Sequence, residues 1–300
     1  MRAQRILVTG AAGFLGTHLV RNLRRIEREV VATDLTVAEG IISLDVRNKS
    51  AVVEMVQSIR PDVIVHLAAV LDYMNVDKYN LYTSNVLGTL NICEGMIRFG
   101  IRKLVYLSST MIHGQVPLEN LPITEGTEIN PITPYAVSKA CGEMIVKEHV
   151  MRGGIMEVIL RPSIIIGPGQ KNNVTEGFID NALNHVPLEI YGEGNHTREF
   201  IFVEDVVNAI INAIDASDPV SGTYLISSGE PIATKDLATK IASMVGDISV
   251  RHIASPIHML SQSYDISRAR NNLRWSPRVS LDEGLRATLE WKQKQHELSS

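Results

Sequence analysis

"RILVTGAAGFLGTHLV", residues 5–20, decides the fold. The apolar run Ile6–Val8 stops at Gly10, Gly13 and Gly16, and beyond the glycines Leu15, Leu19, Leu23 and Ile26 recur at helical spacing. A strand that breaks into a glycine turn and runs directly into a helix does two things. The missing side chains let other groups approach the backbone closely, and the helix N-terminus is aimed at whatever sits over the turn.

The same alternation continues outward from this unit. "EVVATD" (29–34), "IISLDV" (41–46), "DVIVHLAA" (62–69), "KLVYLSS" (103–109) and "EVILRPS" (157–163) read as strands, and their near-continuous Val/Ile/Leu content predicts burial on both faces. Val52, Met55, Val56 and Ile59 mark an intervening helix. Repeated βαβ units predict an α/β fold with a doubly wound parallel Rossmann-type sheet. The rhythm loosens after "GPGQKNNVTEG" (167–177). The expected division is therefore a dinucleotide-binding domain over 1–167 and a smaller C-terminal α/β substrate lobe over 168–300, with 200–227 returning to the main sheet. "SLDE" at 280–283 has the form of a capping box that opens the last helix.

Composition narrows the function classes. A chain of 300 residues, 45% hydrophobic, with a net charge of −4, can bury a large core and offers no electrostatic reason to bind nucleic acid. The two cysteines, Cys93 and Cys141, form no disulfide framework, and the nine histidines are scattered without metal-ligand spacing, so no metal site is expected. "MRAQ" leads straight into "ILV" with no room for a signal peptide, and no stretch approaches 18 uninterrupted apolar residues. The expectation is a cytoplasmic protein with no membrane contact.

Two motifs carry chemistry. Gly10, Gly13 and Gly16, with Phe14 and Leu15 opening the helix, match the context of a dinucleotide pyrophosphate site. Asp34 ends the second strand, where a carboxylate hydrogen-bonds the adenosine ribose and repels a 2′-phosphate; no arginine lies between it and Arg47, so NAD is the implied cofactor. In "TPYAVSKA" (133–140), Tyr135 and Lys139 lie one helical turn apart and share a face. An ammonium there would favour the phenolate and prepare the tyrosine for acid/base work. The plainer alternative is a helix-start aromatic and a solvated lysine.

With these motifs in place, the chain resembles the extended short-chain dehydrogenase/reductases, specifically the NAD-dependent epimerase/dehydratase family typified by UDP-glucose 4-epimerase. "LDVRN", "HLAA", "SNVLGTLN", "LSSTMIHG", "RPSIIIGPG", "IYGEGNHTREFIFVEDVV" and "DISRARNNLRWSP" extend the likeness over nearly the whole length. The resemblance implies Asp45 and Val46 at the adenine; Leu67, Ala68 and Ala69 along the cofactor; and Asn85 at the family's helix asparagine. It implies Ser109, Tyr135 and Lys139 as the catalytic set, with Tyr135 and Lys139 also touching the cofactor. On the substrate side it implies Ser109 and Thr110 at the sugar, Arg198 at the nucleotide diphosphate and Tyr191 on the base. It further implies a homodimer through helices at roughly 77–99 and 134–151, whose Leu87, Leu90, Met96, Cys141, Met144 and Ile145 supply apolar surface.

Departures from the family pattern shape the expected reaction. Thr110 and Met111 stand where sugar dehydratases of the family carry an Asp-Glu pair, which disfavours dehydration and leaves 4-epimerisation of a UDP-hexose or related nucleotide sugar, through a 4-keto intermediate. Ile164 replaces the usual asparagine, His113 replaces the usual tyrosine, and Arg251 is the candidate for a second phosphate arginine. The alternatives are a dehydrogenase or reductase with net redox, and an NAD-binding protein without catalysis.

Overall fold

The computed structural model describes residues 4–71, 77–153, 155–216, 220–246, 248–254 and 260–299. The chain runs through β1 (Arg5–Thr9), α1 (Phe14–Arg25), β2 (Glu29–Asp34), β3 (Ile42–Ser43), α2 (Lys49–Ile59), β4 (Val63–His66), α3 (Lys78–Tyr82), α4 (Gly88–Phe99) and β5 (Lys103–Leu107). Next come α5 (Pro134–Gly153), β6 (Met156–Pro162), β7 (Ile164–Ile166), α6 (Val174–Leu183), β8 (Leu188–Tyr191), β9 (Thr197–Arg198), β10 (Phe200–Phe202) and α7 (Val203–Asp215). The last elements are β11 (Gly222–Ile226), β12 (Ile232–Ala233), α8 (Thr234–Val245), β13 (Val250–Ile253), α9 (Ser267–Asn272) and α10 (Leu281–Ser299).

Seven strands form one sheet in the order β11-β6-β5-β4-β1-β2-β3, and its pairings are all parallel. Successive side chains of a strand point to opposite faces. Thus Ile6 and Val8 of β1 join α1 and α7 in one apolar cluster, while Leu7 joins Val52, Ile92 and Val146 in the other. Both faces are buried, as the unbroken apolar runs require. The winding reverses between β1 and β4, which pair with Ile6 opposite Val63. The crevice beyond their carboxyl ends is the switch point at which such sheets take ligands.

The stretch 41–46 is less of a strand than its composition suggests. Only Ile42–Ser43 pairs with β2. The chain then turns at Asp45, whose carboxylate accepts from the Arg47 N–H, and Leu44 and Val46 are buried. In the 200–227 stretch, β10 pairs with β7 in a separate two-stranded ladder, α7 packs on the main sheet, and β11 adds an edge strand beside β6. A third apolar cluster, including Ile179, Leu188, Phe200, Leu237 and Leu285, is built by α6, α8 and α10 with β8 and β10. The capping box forms as written: Ser280 N–H donates to Glu283, and Glu283 N–H donates to the Ser280 hydroxyl.

The helical pattern at 77–99 is interrupted by a π turn at Thr83–Leu87. Such insertions commonly mark functional positions, and this one contains Asn85. Leu87, at the end of the π turn, and Met144 on α5 are exposed, and Leu90 and Cys141 are half-buried, while half-buried Ile145 packs against the second apolar cluster and Met96 is fully buried within it. No helix among the described residues is long and apolar enough to cross a membrane.

Candidate active site

The glycine turn is dictated by sterics. Gly10 has φ +74°, and a Cβ there would meet the Ala68 backbone nitrogen at 2.6 Å; a Cβ on Gly16 would meet the Gly10 carbonyl at 2.1 Å. Gly13 is the N-cap of α1 and supplies no side-chain cap. Phe14, half-buried, and Leu15, buried, begin the helix, so its first N–H groups face the turn without a capping side chain, as a pyrophosphate needs. The Asp34 carboxylate closes this turn, accepting from the N–H groups of Ala12 and Thr36. These features fit a dinucleotide.

Opposite the turn, a directed hydrogen-bond chain fixes the β4 side of the crevice. Thr89 donates to the Asn85 carbonyl at 2.6 Å, so its oxygen accepts from His66 Nε2. His66 Nδ1 then accepts from Thr9 at 2.7 Å. Burial, with the nearby Lys139 charge, pushes the His66 pKa down to about 3, so the ring is neutral and acts as a fixed relay. Asn85 accepts from Val70 N–H and donates to the Val70 carbonyl and to Ser138. This ties the chain just after Leu67, Ala68 and Ala69 to α5. Leu67 is buried, Ala68 half-buried and Ala69 exposed. Val46 packs against Gly88, and the Asp45 carboxylate is paired with Arg47 at 2.7 Å, which holds it well below the usual carboxylate range. Arg47 also donates to Asn80, so it is occupied well away from any role beside Asp34.

Helix α5 starts where its sequence says it should. Thr133 accepts from the Ala136 N–H, and Pro134 takes the first helical position, where a missing N–H costs nothing. Tyr135 is half-buried at this start, and Lys139 follows one turn later, 2% exposed. Lys139 Nζ donates to the Leu107 carbonyl at 2.7 Å and stands 5.9 Å from the centre of the Tyr135 ring and 5.1 Å from that of Tyr106. Burial pushes its pKa down to about 7, against a counteracting pull from Glu143. Two residues beyond Leu107, the Ser109 hydroxyl caps a short 3₁₀ turn by accepting from the Met111 N–H.

Behind α5 lies an ion pair that the sequence reading did not single out. Arg161 on β6 forks onto Glu143 with bonds of 2.8 and 2.7 Å, and both residues are 1% exposed. Removing one partner of such a pair costs about 3–5 kcal/mol, whereas replacing both with apolar groups of like volume is close to neutral. Arg161 also donates to His113 Nε2 at 3.2 Å, so the ring proton sits on Nδ1 and meets the Glu128 carbonyl. Burial and the facing Arg161 lower the His113 pKa. The histidine in place of the family tyrosine is thus a neutral strut. The signals were an arginine inside the apolar strand 157–163 and a glutamate four residues after Lys139.

Ser109, Thr110 and Arg198 line one cleft of about 440 Å³, together with Met111, Ile164 and the returning segment Leu260, Gln262 and Tyr264. The Thr110 hydroxyl donates to the Pro162 carbonyl, and Met111 is partly exposed. Arg198 is anchored through Nη1 to the carbonyls of Thr197 and Leu260. Its neighbour Glu199 makes no pair with it. Glu199 is buried and accepts from Ser227, Gly229 and Tyr264. Tyr191 is half exposed at the end of β8, outside this lining, and Arg251 is exposed on β13, also outside it. In its place the cleft has Gln262, which donates to the Gly114 carbonyl and accepts from Tyr264.

A doubly wound sheet with a glycine turn at its switch point, and a Tyr/Lys pair tied to the strand end two residues before Ser109, defines a dinucleotide-dependent enzyme of the short-chain dehydrogenase/reductase class. Residues 6–227 match the model of the NAD dependent epimerase/dehydratase family. The chain is similar to UDP-glucose 4-epimerase of Mycolicibacterium smegmatis, with 32% identity over 96% of this chain and 98% of that one. It is also similar to dTDP-glucose 4,6-dehydratase of Mycobacterium tuberculosis, with 31% identity over 96% and 92% of the two chains. Among solved structures, MoeE5 in complex with UDP-glucuronic acid and NAD superposes with a TM-score of 0.88 at 28% identity, covering 97% of this chain and 99% of that one. The chain belongs to the NAD-dependent epimerase/dehydratase family: it is an NAD-dependent enzyme of the epimerase type.

Proposed function

We propose that the protein interconverts nucleotide sugars by 4-epimerisation, with a UDP-hexose as substrate. The observation that carries this reading is the pairing of an intact Ser109, Tyr135 and Lys139 set with Thr110 and Met111. Thr110 donates its hydroxyl to the backbone and Met111 is apolar, so neither suits the elimination of water. NAD, when bound, supplies a reversible hydride acceptor. Tyr135 takes the proton of the 4-hydroxyl and later returns it, Ser109 hydrogen-bonds the reacting oxygen, and Lys139 holds the nicotinamide ribose and favours the phenolate. Arg198 pairs its remaining donors with the diphosphate, and Tyr191 packs on the base at the rim. In this reading residues 1–167 with 200–227 carry the cofactor, through Gly10, Gly13, Phe14, Leu15, Gly16, Asp34, Asp45, Val46, Leu67, Ala68, Ala69 and Asn85, and the remainder carries the sugar nucleotide.

The test is incubation of NAD-loaded protein with UDP-glucose or UDP-galactose. Interconversion without accumulating NADH is expected; steady growth of NADH with one oxidised product would establish net dehydrogenation instead. The surface formed by the π turn and α5 supports a homodimer, since Leu87 and Met144 expose apolar area that the sheet contact does not use. Light scattering at micromolar concentration should report twice the chain mass, and a monomer would refute the dimer.

A further inference from the structure

We propose that Glu143 is the positioning residue that favours the ammonium form of Lys139 beneath Tyr135, with Arg161 and His113 as the frame that holds Glu143 in place. The inference rests on the reading of Tyr135 and Lys139 as the catalytic pair. Tyr135, Lys139 and Glu143 follow one another at intervals of four on α5, so the three side chains share a helix face. Lys139 is enclosed by Tyr106 and the Leu107 carbonyl from β5, by neutral His66 from β4, and by Tyr135 on its own helix. Among the described residues, Leu107 supplies the hydrogen-bond acceptor and no carboxylate touches the amine. Glu143 is the anion whose field reaches it.

Glu143 is itself held ionised and immobile. Although its burial works the other way, the fork from Arg161 brings its carboxyl below the ordinary range, and Lys147 adds a longer contact of 3.4 Å. Arg161 is steadied in turn by its bonds to His113 Nε2 and the Glu125 carbonyl. Without this anion the buried amine would shed its proton at still lower pH. The phenol of Tyr135 would then lose the positive charge that makes it acidic.

The test titrates Tyr135 in the NAD-loaded protein, read as the ultraviolet difference between each protein and the same protein carrying Tyr135→Phe. Glu143→Gln should move phenolate formation to higher pH by about one unit. That variant leaves Arg161 unpaired and can fail to fold, so the deciding sample is the double variant Glu143→Leu with Arg161→Met, which keeps the core filled and removes both charges. An upward shift in the double variant supports the inference. A titration identical to that of the unaltered protein overturns it and leaves the pair a packing device. The readout contains no sugar, so it is independent of the substrate reading, which the interconversion assay tests separately.

Discussion

The turn at residues 10–16 and the cleft at Arg198 are opposites in construction. The turn is mostly one local segment, three glycines between one strand and one helix, met from outside by the Ala68 backbone and the Asp34 carboxylate, and the cleft is assembled from residues 109–115, 132–133, 162–164, 198–199 and 260–264. At the turn, geometry follows from what the residues lack: any Cβ on Gly16 would collide with the Gly10 carbonyl. In the cleft, geometry follows from what distant residues share. Glu199 gathers donors from Ser227, Gly229 and Tyr264, and Arg198 hangs on the Leu260 carbonyl. A local site tolerates change in its surroundings and little within itself. The assembled site is the easier of the two to retune, because each wall is a separate segment.

The largest expected effect lies at the start of α5, outside the lining of that cleft. Tyr135→Phe keeps the ring and removes the hydroxyl, so NAD binding and the unfolding midpoint should stay near those of the unaltered protein while kcat falls by about 10²–10⁴-fold, or roughly 3–5 kcal/mol of barrier. Retention of more than about a tenth of the turnover would make this tyrosine a packing residue.

On the cleft side, Arg198→Met should raise KM for a nucleotide sugar by about ten- to a hundredfold, in line with about 1.5–3 kcal/mol for hydrogen bonds to a charged group. Affinity for NAD should not move. Steady-state kinetics with a parallel cofactor titration checks both halves, and equal weakening of the two would erase the distinction between them.

The smallest effect belongs to the cofactor side and needs no substrate. Burial pushes Lys139 down to about 7 from the 10.5 of a free lysine, so between those values the unfolded chain binds more protons than the native one. Stability therefore rises with pH across that window through this group. In cofactor-free protein, denaturant midpoints measured from pH ~7 to pH ~9 should slope upward less steeply in Lys139→Met. Parallel slopes would show that the amine titrates normally.

Local patterns carried much of this protein into view. Strand, glycine turn and helix are legible because they report on contacts within a few residues: close packing of Gly16 on Gly10, a shared helix face for Tyr135 and Lys139, a capping box at Ser280. Even so, the stretch 41–46 reads as a full strand and pairs only at Ile42–Ser43, because a local turn at Asp45 and Arg47 overrides β propensity.

What the sequence by itself determined is the dinucleotide frame and the Tyr/Lys pair, since both are set by spacing along the chain and by excluded volume. What only the tertiary structure decided is which distant groups complete them. Met96 and Met144 lie on the same two helical patterns, yet one is buried in the sheet core and the other faces outward. His66 could be a base or a strut until Thr9 and Thr89 fix its proton, and Arg161 is an anomaly in an apolar strand until Glu143, 18 residues earlier, meets it. Tyr264 enters the cleft only because the chain folds back over 65 residues to Glu199. Periodicity records which face a residue occupies on its own element. It holds no record of the element that crosses over to meet that face, because the meeting is set by the packing of the whole sheet and its lobes.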